Sequence, residues 1–264
     1  MNTELKDNGY RILRGVFSKE ETEELAKFSN RVIDYATEGA NDPFGIDYMK
    51  HRTDNGVLYD LYQRHPQYRK FAESSDILDA VAEHLGESIY LYVNSFLYKP
   101  GDRDNVVPWH QDFLSRPDES EKILAWISLD HATKKNGCLK VLPGSHKDGF
   151  REWYRVEGET HHDRIRLDGL DLDSVEYLEL EPGDVMLFSN YVIHGSDQNS
   201  SDLPRRAYRV VYKALDTAEV PRGGAITLRG GTPDDLRKID FSGVKCSRTP
   251  KKRGLKARIK GLIK

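Results

Sequence analysis

The sequence predicts a mainly β fold with flanking helices, built as an antiparallel double sheet or barrel. Three observations point there. From residue 88 onward, short runs rich in β-branched and aromatic residues follow one another. Turn signals such as KPGD, KKNG, LPGS and EPGD separate most of them. No regular alternation of strand and helix, the mark of a parallel sheet, interrupts them.

The elements follow in order. Ser18-Lys-Glu-Glu21 fits a capping box, in which the serine oxygen and the glutamate carboxylate satisfy free N–H groups at a helix start. Leu25, Phe28, Val32 and Ile33 then recur at helical spacing. A second helix is predicted over 75–85, with Ile77, Leu78, Val81, Ala82 and Leu85 inward and Gly86 ending it. Strand runs begin at Ser88 (SIYLYVNSFLYK), Lys122 (KILAWISLD), Cys138 (CLKVL), Val175 (VEYLEL), Asp184 (DVMLFS) and Arg206 (RAYRVVYKAL). The segment 145–175 has little strand pattern and reads as a long insertion, a kind of loop that is often functional.

The chain has 264 residues, enough for one large domain without staples. Its 14 Tyr, 9 Phe and 3 Trp argue against disorder, although 31% of residues are charged. Two cysteines exclude a disulfide-rich scaffold and a four-thiolate zinc site. No run approaches the roughly 18 apolar residues of a membrane span, and the first residues lack an apolar run of signal-peptide length. The expected compartment is the cytoplasm.

The net charge of −3 conceals a division, because nine Lys or Arg and no acid lie in 245–264, leaving 1–244 at −12. The acidic body, expected to form a single domain over 1–244, is a poor candidate for nucleic-acid binding. In the basic tail Leu255, Ile259, Leu262 and Ile263 share one helical face. Such a helix could contact an anionic membrane peripherally. It could equally pack on the acidic body or fray.

The chemistry concentrates in PWHQDF. His110 and Asp112 are two apart, so on a strand both side chains would face one way, with Cα atoms roughly 6.7 Å apart. That pair alone is weak, since a hydrogen-bonded pair at a strand end has the same sequence. Downstream, His194 ends an apolar strand and Arg205 follows eleven residues later. His-X-Asp, then His, then Arg fits a two-His, one-carboxylate iron site with room for a 2-oxo acid and for O2. An arginine fork suits the far carboxylate of 2-oxoglutarate. On a strand Arg205 and Arg209 would share a face and Arg206 would point away, yet Arg206 stays open as the alternative.

The features NGYRILRGVFSKEE, WHQD, NGCL…PGSH, PGD and HGS…N…RRA, over about residues 8–215, resemble the phytanoyl-CoA dioxygenase family of Fe(II)- and 2-oxoglutarate-dependent oxygenases. The resemblance implies a double-stranded β-helix, or jelly roll of the cupin-like kind, with N-terminal helices against it. It implies His110, Asp112 and His194 as iron ligands, Arg205 as the 2-oxoglutarate arginine and Ser196 near the same carboxylate. Tyr98 and Trp126 are candidates for the cosubstrate pocket, with plain core packing as the alternative for each. Family halogenases carry a small residue in place of the carboxylate, so Asp112 favours hydroxylation.

The expected activity is hydroxylation of a small polar, anionic, lipid-linked or glycan-linked substrate, with succinate and CO2 as co-products. Desaturation, epimerisation and cyclisation are the alternative outcomes. A non-catalytic jelly-roll binding protein and a zinc hydrolase are the alternative classes. Loops over about 41–65, 100–107 and 145–175 would choose the substrate. His131, His146, His161 and His162 read as structural or exposed, and Cys138 as a small buried hydrophobe.

Overall fold

A computed structural model describes residues 3–38, 56–101, 106–157, 163–215 and 226–230. Its helices are α1 (Glu4–Asn8), α2 (Lys19–Glu38), α3 (Leu61–Arg64), α4 (Arg69–Ala72) and α5 (Ser75–Leu85). Its strands are β1 (Tyr10–Leu13), β2 (Val57–Tyr59), β3 (Ile89–Lys99), β4 (Val107–His110), β5 (Ile123–Ser128), β6 (Leu139–Val141) and β7 (Trp153–Arg155). They continue with β8 (Asp163–Ile165), β9 (Glu176–Leu178), β10 (Val185–Ser189), β11 (His194–Ser196), β12 (Arg205–Ala214) and β13 (Ile226–Arg229).

The capping box forms: the Ser18 N–H donates to Glu21 Oε2 at 2.8 Å and the Glu21 N–H to Ser18 Oγ at 3.2 Å. Such a cap stabilises a helix start by about 1 kcal/mol. The second expected helix is α5, which ends where the Gly86 N–H reaches the Ala82 carbonyl. Both helices lie on one face of the larger sheet.

That sheet runs β1-β10-β5-β12-β3-β13, with β2 also on β3, and the smaller one runs β4-β11-β6-β9. Every strand pair is antiparallel. The two sheets enclose an inner core, and the architecture is the double-stranded β-helix. Alternate side chains of β5 explain its unbroken apolar run. Ile123, Ala125 and Ile127 pack against the helices, while Leu124 and Trp126 face the smaller sheet. Both faces of the central strands β3, β5, β10 and β12 are largely buried, so their hydropathy does not alternate.

The insertion at 145–175 departs from its loop reading. It contains the hairpin β7–β8, whose Ile165 is buried with Leu114, Leu142 and Ile193. Every residue of β7 is exposed, which removes the alternating pattern that would betray a strand. The segment 41–55 of the first expected substrate loop, residues 102–105 of the second, and the basic tail lie outside the described residues. Among the described residues no helix is long and apolar enough to cross a membrane.

Candidate metal centre and its cavity

His110 and His194 are cross-strand partners on β4 and β11. That pairing brings their ring centroids to 4.2 Å. Each ring donates Nδ1–H to the carbonyl two residues back, His110 to Pro108 at 2.9 Å and His194 to Val192 at 3.0 Å. A carbonyl oxygen can only accept, so both Nε2 lone pairs are left for the shared space between the strands.

Asp112 completes the group from a different element than the sequence suggested. The strand β4 stops at His110, and Asp112 sits in the following turn, where Phe113 takes φ +64°. The two-residue strand spacing therefore does not apply. The Asp112 N–H is anchored on the Asn190 carbonyl at 3.1 Å, and the turn swings the carboxylate back. Its Oδ1 lies 4.0 Å from His110 Nε2 and its Oδ2 3.9 Å from His194 Nε2. These separations are too long for hydrogen bonds. All three donor atoms lie within 4.8 Å of one another, an arrangement able to surround one ion.

Charge state suits that use. Burial, and next the charge of His110, push His194 down to about 4, so it is neutral at physiological pH. Burial works to raise the Asp112 carboxyl, but the surrounding positive charge, that of Arg209 first, outweighs it and holds it below the usual range. Arg209 Nη1 stands 3.4 Å from both Asp112 oxygens, and its Nε donates to Ser95 Oγ at 3.1 Å.

The three residues open onto a cavity of about 240 Å³. At one end stand Arg205 and Lys99, cross-strand neighbours on β12 and β3, 4% and 1% exposed. Lys99 Nζ donates to Ser196 Oγ at 2.8 Å and to the Asp197 carbonyl at 2.6 Å. The Arg205 guanidinium lies 4.9 Å from the Trp126 ring centroid. Gly137, at φ +79°, passes so close that a Cβ there would fall 2.6 Å from the Asp197 carbonyl and 3.0 Å from Lys99 Cδ. The Asn-Gly turn is thus shaped around the lysine.

Arg206 faces the other way and grips Asp130, with Nη2 2.6 Å from Oδ1 and Nε 2.8 Å from Oδ2. Tyr98, its cross-strand neighbour, packs on the helix-side core while also bordering the cavity, whereas Trp126 belongs to the inner core. Tyr98 and Trp126 therefore do not share a face. Lys99 escaped the sequence reading because a lysine closing an apolar strand looks like a solubilising end. Its position opposite Arg205 is visible only in the register.

At the other end the lining comes from Tyr59, Tyr92, Phe113, Arg116 and Asp163. Arg116 Nη1 donates to the Tyr92 hydroxyl and reaches Glu119 Oε1 at 3.4 Å. Gln111, between His110 and Asp112, is buried and its side chain turns to backbone groups. Its Nε2 donates to the carbonyls of Gly149 at 2.8 Å and Tyr191 at 2.6 Å, and its Oε1 accepts from the Arg151 N–H at 2.9 Å. Among the remaining histidines, His131 pairs with exposed Glu181 and His146 reaches the Lys6 carbonyl. His161 and His162 lie outside the described residues. Cys138 is buried, and burial pushes its thiol up to about 11.

Known proteins agree with this architecture. The chain is 30% identical over 225 residues to a probable alpha-ketoglutarate-dependent hypophosphite dioxygenase of Stutzerimonas stutzeri, covering 81% of this chain and 77% of that protein. It is 28% identical over 225 residues to a 2-aminoethylphosphonate dioxygenase of an uncultured bacterium, covering 82% of each. A solved non-heme monooxygenase, ThoJ in its apo form, superposes with a TM-score of 0.71 at 17% identity, covering 87% of this chain and 83% of that one, a likeness of fold. The sequence model of the phytanoyl-CoA dioxygenase family matches residues 5–207, and the chain belongs to that family of Fe(II)- and 2-oxoglutarate-dependent oxygenases.

Proposed function

We propose that this protein is a dioxygenase that hydroxylates an unactivated C–H bond of a small polar or anionic metabolite, with Fe(II), 2-oxoglutarate and O2. The observation that carries the reading is the convergence of His110, Asp112 and His194 on one point of a cavity that also holds a separate pair of buried cations. Two imidazole Nε2 atoms and one carboxylate fit a non-haem Fe(II) site with open positions. These three residues would hold the metal.

Arg205 and Lys99 would hold the far carboxylate of 2-oxoglutarate, Arg205 through its planar fork and Lys99 as a point charge steadied by Ser196. Trp126, against the guanidinium, limits how far that fork can swing. When bound, iron with 2-oxoglutarate and O2 supplies the oxidant that removes a hydrogen atom from carbon, and succinate and CO2 leave as co-products.

The protein's own part is placement and charge. The two Nδ1–H bonds to backbone carbonyls fix each imidazole tautomer and its rotation. Arg209 keeps the Asp112 carboxylate ionised and oriented. That carboxylate fills the position a halide would need, which favours hydroxylation over halogenation. Val93, Leu97 and Leu139 line the cavity and reduce the water around it. The hypophosphite and aminoethylphosphonate relatives support a small anion as substrate.

The test is a screen of small anionic metabolites with purified protein, Fe(II), ascorbate and 2-oxoglutarate, read as succinate and as oxidised product. Succinate formed together with a hydroxylated compound supports the reading. Succinate no higher than with a His194→Ala variant for every compound, together with no binding of 2-oxoglutarate, would sink it.

A further inference from the structure

The cavity's second end has a charge pattern that the metal and the cosubstrate do not use. Tyr92 and Lys99 stand seven residues apart on β3, about 20 Å along the strand. The Arg116 end is therefore remote from the Arg205 end. Around Tyr92, one carboxylate serves two cations. Glu119 Oε2 accepts from Lys122 Nζ at 3.0 Å, and Oε1 faces Arg116 Nη1 at 3.4 Å. Burial works to raise Glu119, but the hydrogen bond from Tyr92 and the charge of Lys122 outweigh it and hold it below its usual range. It is therefore one full negative charge against two positive ones.

Elsewhere among the described lining residues the charges are matched. Asp163 is held by Arg155 at 2.8 and 3.1 Å, Asp112 belongs to the metal site, and Arg205 with Lys99 match a dicarboxylate. Arg209 adds a further cation beside Asp112. Counting the described lining residues, with iron and 2-oxoglutarate in place, the space between Arg209 and Arg116 keeps a positive excess. Among the described residues Arg116 engages Tyr92 and Glu119 through Nη1, and a guanidinium has five N–H groups. Its planar cation lies 5.9 Å from the ring centroids of both Tyr92 and Phe113, which fix its plane at the cavity wall.

We propose that Arg116 binds an oxyanion group of the substrate, a phosphonate, phosphate or carboxylate, at the cavity end remote from Lys99 and Arg205. This rests on the dioxygenase reading. The substrate is then held by its charged end at Arg116, with the remainder extending toward His110 and Asp112. An anion is favoured by the fork at Arg116, and Arg209, although paired with Asp112, adds a second cation to the lining. Arg116 is a specificity-determining residue, and Tyr92 and Glu119 position it.

The experiment titrates methylphosphonate, inorganic phosphate and acetate by calorimetry into anaerobic protein loaded with Fe(II) and 2-oxoglutarate. Wild-type protein should bind at least one of these anions saturably. Arg116→Met should weaken that binding about tenfold or more, as expected for a lost charge-assisted hydrogen bond, with Fe(II) and 2-oxoglutarate affinities unchanged. Arg116→Lys should recover part of the loss, and Glu119→Gln should tighten the anion by removing the competing carboxylate. A purely structural Arg116 does not give tightening in Glu119→Gln. Equal anion binding by wild type and Arg116→Met, or no anion binding by a wild type that does bind 2-oxoglutarate, overturns the proposal. A wild type that fails to bind 2-oxoglutarate overturns the dioxygenase reading and this proposal with it.

Discussion

The two ends of the cavity are made of different material. Lys99, Ser196 and Arg205 stand on β3, β11 and β12, where ladder hydrogen bonds fix each Cα. At the other end Tyr59 and Tyr92 also stand on strands, but Phe113 and Arg116 come from the turn after β4, and Asp163 from the inserted hairpin. The difference teaches where chemistry and choice are stored. A cosubstrate common to many reactions would be met by residues that a sheet holds. The group that varies between reactions would be met largely by turns, which can change without breaking a ladder.

The largest effect that tests this division lies at the metal. His110→Ala, Asp112→Ala or His194→Ala should abolish succinate formation and weaken Fe(II) binding, measured by calorimetry under argon. Full activity in any one would remove that residue from the ligand set. Next come the neighbouring arginines on β12. Arg205→Ala should cost about 3 to 5 kcal/mol of cosubstrate binding, read as a sharply raised 2-oxoglutarate requirement with Fe(II) affinity retained. Arg206→Ala should leave that requirement alone and lower stability by about 1 to 3 kcal/mol, because Asp130 loses its partner. The opposite pattern would mean that the strand faces the other way.

Gly137→Ala sharpens the same end. Forcing a side chain into the left-handed region costs about 1 to 2 kcal/mol, and its Cβ presses on Lys99 and the Asp197 carbonyl. The expected result is weaker 2-oxoglutarate binding in calorimetry with Fe(II) affinity unchanged, and equal weakening of both would speak against it. Smallest is Ser18→Ala, which should lower thermal stability by about 1 kcal/mol through the α2 cap and leave kcat unchanged.

The parts legible in the sequence are those where physics demands a residue type. Ligand chemistry names histidine and aspartate, a fork names arginine, and a helix start names the Ser18 and Glu21 pair. Strands β3, β5, β10 and β12 were legible because both their faces are largely buried and their runs stay apolar. The rest depends on partners distant in the chain. Nothing in the letters DFL announces that Phe113 takes φ +64° and lifts Asp112 off the strand. An exposed hairpin such as β7–β8 carries no period. The roles of Lys99 and Arg116 need register and contact, which composition does not hold.

Gln111 has a consequence of another kind. It fastens the start of the insertion to the metal motif through the Gly149 carbonyl and the Arg151 N–H. Those are main-chain groups, present whatever side chains the insertion carries. The fastening is therefore indifferent to the insertion's sequence, and the exposed positions beyond it are free to be rewritten while Ile165 keeps its buried place. A new lining for the cavity mouth can be tried in β7, β8 and their flanks, while the clasp beside His110 and Asp112 stays shut.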